Sequence, residues 1–97
     1  MNRNVKAVGV PWFTAESWPR LLAIASDRRR LPHTFAEFEH RASATFEAMR
    51  AQGSPVEKVL IDIDQLVAYC EAAGRSVNAF TRAEFAALAV ARRHEMH

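Results

Sequence analysis

The stretch from Val56 to Gly74, VEKVLIDIDQLVAYCEAAG, constrains the fold more than any other part of the chain. Val56, Val59, Leu60 and Ile61 form a short run rich in β-branched residues. The apolar period then changes from two to about 3.6 at Ile63, Leu66, Val67 and Cys70. That is the signature of a strand handing over directly to a helix. Asp62 stands at the junction with Gln65 three residues on, the spacing of a capping box, and Gly74 closes the helix.

The remaining elements follow from similar signals. Val5 to Val10 reads as a short strand ended by Pro11, with Gly9 marking a weak point or a close approach. Ser17 caps a helix with Trp18 and Pro19 in its first turn, where a missing N–H costs nothing. That helix buries Trp18, Leu21, Leu22 and Ala25 and frays near Arg28-Arg29-Arg30. After the break at Leu31-Pro32, Thr34 caps a second helix with Glu37 at the capping-box position. Its apolar stripe is Phe35, Phe38, Ala42, Phe46 and Met49, and Gln52-Gly53-Ser54-Pro55 ends it. The last helix starts after Asn78 or after Thr81, carries Phe80, Phe85, Leu88 and Ala89, and ends in Arg92-Arg93-His94, which complement the negative helix end.

The order β-α-α-β-α-α predicts one α+β domain over residues 1–97, helix-dominated, with a small sheet covered by helices. An all-α fold is the alternative if Val5 to Val10 is merely extended. Phe38, Phe46, Leu60, Ile61, Leu66 and Phe85 are the expected core.

Composition narrows the function classes. At 97 residues there is room for one core, and 25% charged residues with nine aromatics is a globular composition rather than a disordered one. Eleven of the thirteen basic residues are arginine and eleven acids balance them, for a net charge of +2, too little to steer an anionic partner strongly. The lone Cys70 excludes an intramolecular disulfide and sits on an apolar helix face, as a buried structural thiol does. No signal-peptide pattern or membrane-length apolar run is present, so a soluble cytoplasmic chain is expected.

Pro11-Trp12-Phe13, Leu31-Pro32 with Thr34-Phe35, Val59 to Asp62 with Asp64, and Cys70 with Gly74 and Arg82 occur together. In these motifs the chain resembles a set of small uncharacterised proteobacterial proteins with a PW-aromatic start, an LP-x-T-aromatic helix start and an IDxD strand-to-helix turn. The resemblance covers nearly the whole chain. It implies a genuine folded domain and carries no activity.

Candidate sites are few. Asp62 and Asp64 could pair on a divalent cation, but a cap and a first-turn acid account for both. His33, His40, His94 and His97 lack zinc-ligand spacing. No glycine-flanked serine or phosphate-cradling loop is present, so no catalytic residue, metal or cofactor is expected. Residues 63–94 have the layout of a helix-turn-helix, with Arg75 and Arg82 placed for phosphates. The proposed recognition helix is poor in base-reading side chains. Arg28, Arg29 and Arg30 are further phosphate candidates or, more simply, a solvated helix end. Trp12, Phe13 and Trp18 are either core or protein-interface anchors. The expected protein is a non-enzymatic one that binds other protein, including itself as a homodimer; the alternative is a nucleic-acid-binding regulator.

Overall fold

The computed structural model describes residues 7–95. Strand β1 (Val8–Trp12) is followed by α1 (Ser17–Ile24), a 3-10 turn (Arg28–Arg30) and α2 (Phe35–Ala51); then come β2 (Val56–Leu60), α3 (Ile63–Ala73) and α4 (Ala79–Glu95). This is the helix-dominated α+β order the sequence implies. The two strands form a parallel sheet with Val8 opposite Val56 and Trp12 opposite Leu60. Parallel pairing is why two helices intervene, since the chain must cross back before the second strand begins.

The caps form largely as their sequences dictate. Thr34 Oγ1 accepts from the Glu37 N–H at 3.1 Å and Asp62 Oδ1 from the Gln65 N–H at 3.0 Å. Gly74 ends α3 in the left-handed region, φ 66°. One detail differs. Helix α1 already includes Ser17, and the cap is reciprocal: Thr14 Oγ1 accepts from the Ser17 N–H and Ser17 Oγ from the Thr14 N–H. At α4 the start after Asn78, one of the two expected, is the one used: Asn78 Oδ1 accepts from the Thr81 N–H at 3.0 Å and Thr81 Oγ1 from the Asn78 N–H at 2.9 Å.

Strand β1 also extends beyond its expected end, through Pro11 to Trp12, while Val5 and Lys6 lie outside the described residues. The hydrogen bonds flanking the ladder explain why proline is tolerated. The Val8 N–H donates to Pro55 O, and Trp12 O accepts from the Ile61 N–H. Even-numbered residues of β1 therefore turn their polar groups to β2, and Pro11 stands where an N–H would point away from the sheet.

Each face of the sheet meets a helix. On one, Trp12 packs edge-on against Phe38 and Phe46 of α2, with Lys58 Nζ 4.3 Å from the Trp12 ring centre. On the other, Gly9 lies against α4 so closely that a Cβ would stand 2.7 Å from Ala86 O. Around this sit Trp18, Leu21, Val59, Ile61, Leu66 and Cys70, all buried. The expected core needs three corrections. Leu60 is 62% exposed, because strand alternation turns it away from the side that buries Val59 and Ile61. Phe38 and Phe85 are half-buried at the rim of the core. Phe80, which the same helix carries, is 66% exposed on the outer side of α4.

Candidate functional site

Helices α2 and α4 cover opposite faces of the sheet and stand apart along the free edge of β1. The opening is a cleft of about 360 Å³. Val10 and Pro11 form its floor, Phe38 and Ala42 one wall, Ala79 and Ala83 the other. Trp18 contributes to the lining, and its indole N–H donates to Pro32 O at 3.1 Å, tying the Leu31–Pro32 segment to the same opening. Small side chains on both helical walls create the space.

Two arginines and no acid line the cleft. Arg82 is 6% exposed and is held by Asp27, with Nη1 3.0 Å from Oδ1 and Nη2 2.8 Å from Oδ2. Those hydrogen bonds hold the Asp27 carboxyl below its ordinary range, against the opposing effect of burial. Arg41 differs. Its side chain is 64% exposed and stands 3.5 Å from Glu37 one turn back, at the outer limit of hydrogen bonding.

A second hollow, of about 270 Å³, lies at the carboxyl ends of the strands, where parallel sheets commonly place ligands. Its polar groups are already engaged: Thr14 with Ser17, Asp62 with the Gln65 N–H, and Arg20 with Asp64 at 2.6 Å. Asp62 and Asp64 thus serve a cap and an ion pair.

The other candidates scatter. Trp12, Phe13 and Trp18 are all buried, with Phe13 and Trp18 5.6 Å apart edge to face and Trp18 stacked on Phe38 at 4.5 Å. As interface anchors they are unavailable, because their apolar area is already spent on the core. Arg75 is bound to Glu84 at 2.5 Å, and the same carboxylate accepts from Tyr69 Oη. The Glu84 carboxyl is held low by these bonds, and the same hydrogen bond to Glu84 pushes the Tyr69 phenol up. Arg28, Arg29 and Arg30 are exposed and, among the described residues, form no ion pair. With Arg75 and Arg82 committed internally, the arginines do not present one shared free face.

His94 lies 2.7 Å from Glu57, which also accepts from Arg93. His33 and His40 are exposed, and His97 lies outside the described residues. Among the described residues no three potential ligands gather as a metal site, and Cys70 is buried. No described helix is long and apolar enough to cross a membrane. Comparison with protein-family models, with curated proteins and with solved structures returned no match.

The Asp27–Arg82 pair and the cleft escaped the sequence reading. One signal was present: Arg82, Ala86 and Val90 follow one another at steps of four, which puts Arg82 on the buried stripe of α4.

Proposed function

We propose that this is a small non-enzymatic protein whose role is to bind other protein, itself included, as a homodimer in the cytoplasm. One observation carries the reading. The outward arc of α4 holds Phe80, Ala87, Leu88 and Ala91, all exposed, and its one charged member, Glu84, is occupied by Arg75 and Tyr69. A surface helix ordinarily turns its polar side to water. An apolar arc with small residues between two large ones suits a second helix packed closely against it.

The strand edges favour helix pairing over sheet pairing. Pro11 withholds a donor on one edge, while Lys58 stands on the other and its carbonyl has Arg93 at 3.4 Å. Light scattering during gel filtration tests the reading. A mass of two chains at tens of micromolar is expected, reduced to one by Ala87→Glu, which places a charge on the exposed arc without touching the core. A single-chain mass for the wild-type protein overturns it.

The nucleic-acid alternative finds less support. The same arc would be the reading face of a recognition helix, yet it offers no hydrogen-bonding side chain apart from the occupied Glu84.

A further inference from the structure

We infer that the cleft between α2 and α4 is a binding site for a small apolar monocarboxylate of the fatty-acid type. Three observations converge on this chemistry. The first is size: about 360 Å³ falls at the small end of the range in which proteins hold small ligands. The lining runs along α2 from Phe38 to Thr45, roughly 10 Å at the helical rise, and along α4 only from Ala79 to Ala83, roughly 6 Å. That is too short to seat a partner helix of several turns. Pro11 in the floor removes the outward N–H that an added peptide strand would need.

The second is polarity. Val10, Pro11, Phe13, Trp18, Leu31 and Phe38 present carbon to the cleft, and the charged residues in its lining are Arg41 and Arg82. An aliphatic chain is the occupant such a surface prefers over water.

The third is charge. No acid lines the cleft, and the charge of Arg82 is already neutralised by Asp27. Arg41 is the other cation, in a solvent-exposed ion pair with Glu37 at 3.5 Å, and Glu37 itself does not line the cleft. Thr45 lies four residues on, on the same helical face, and also lines the opening. A guanidinium and a hydroxyl one turn apart make a carboxylate headgroup site at the rim, since arginine binds carboxylate with paired donors. The chain of the acid would lie inward over Val10 and Phe38 with its headgroup at Arg41.

Titration calorimetry with decanoate and decanol, each below its micelle concentration at neutral pH, tests the site. Saturable binding of one decanoate per chain is expected, at least tenfold tighter than decanol. Arg41→Gln, at an exposed helix position, should weaken decanoate at least tenfold and leave decanol unchanged. Ala83→Phe, which fills the cleft, should abolish both; if it lowers the melting temperature, Thr45→Trp at an exposed position serves instead. No saturable decanoate binding overturns the inference, as does decanol binding as tightly as decanoate. Equal losses of both ligands in Arg41→Gln also overturn it, because they would mean that the arginine shapes the cleft without recognising a carboxylate.

Discussion

Gly9 is the tightest packing point between sheet and helix. Its missing side chain lets the Ala86 backbone approach to where a Cβ would be 2.7 Å from the carbonyl oxygen, and backbone yields less readily than a side-chain tip. Gly9→Ala should destabilise the protein by about 1–3 kcal/mol through overpacking, read as a lower urea midpoint at unchanged slope. Phe46 poses the opposite problem. It is buried against Trp12, and Phe46→Ala should cost on the order of 3 kcal/mol by leaving a cavity there. Arg82 and Asp27 form the pair whose loss depends on pH. The Asp27 carboxyl is lowered from its ordinary value near 3.8, chiefly by the Arg82 hydrogen bonds. Its contribution is therefore present above the unfolded-state value and is lost as pH falls through the lower folded one. Stability of the wild type should drop below about pH 4 more steeply than that of Asp27→Asn, in urea unfolding followed across pH. At neutral pH, Asp27→Ala should lose about 3 kcal/mol, since it strands a buried guanidinium.

At the scale of elements, each helix start has a short polar side chain bonded to a free backbone N–H. The Asn78–Thr81 pair is the most heavily used, because Thr81 is buried and also donates to Ser76 O. Asn78→Ala should cost about 1 kcal/mol by removing the acceptor for the Thr81 N–H, measurable by chemical unfolding. Helix α4 has two working sides. One side, with Arg82, Ala86 and Val90, closes over β1, while the opposite arc from Phe80 to Ala91 faces outward. The inward side fixes the helix in place, which leaves the outward arc free to change without unfolding. That separation makes Ala87→Glu a test of association rather than of stability.

Across the whole molecule, two parallel strands survive because each face meets a helix, α4 closely at Gly9 and α2 at Trp12, while Leu60 and Val8 stay exposed. The same coverage consumes the aromatic cluster and two of the arginines. The consequence is electrostatic. If nucleic acid binds at all, the run Arg28 to Arg30 is the exposed basic cluster it would meet, and neutralising about three phosphates there gives a slope of log K against log salt of about −2.7 on duplex DNA. A much steeper slope, with preference for one duplex over a scrambled control and loss in Arg82→Ala, would restore the helix-turn-helix reading.

Local chemistry made much of this fold legible in the sequence. The handover from Leu60 to Ile63, the caps at Thr34 and Asp62 and the stop at Gly74 each depend on residues a few positions apart, so the pattern along the chain contains them. Trp12, Phe13 and Trp18 were left open between core and interface, because an aromatic residue has the same sequence signature in either place. Leu60 is misplaced for a related reason: apolar runs state that something is buried, but only the neighbouring element decides which side is covered. The cleft lay further out of reach. It exists because α2 and α4, with 27 residues between them, take opposite faces of one sheet. The pairing of Arg82 with Asp27 spans 55 positions, and no local spacing encodes it. Short-range hydrogen bonding fixed the elements, and long-range packing alone decided which charges were spent and which surfaces stayed free.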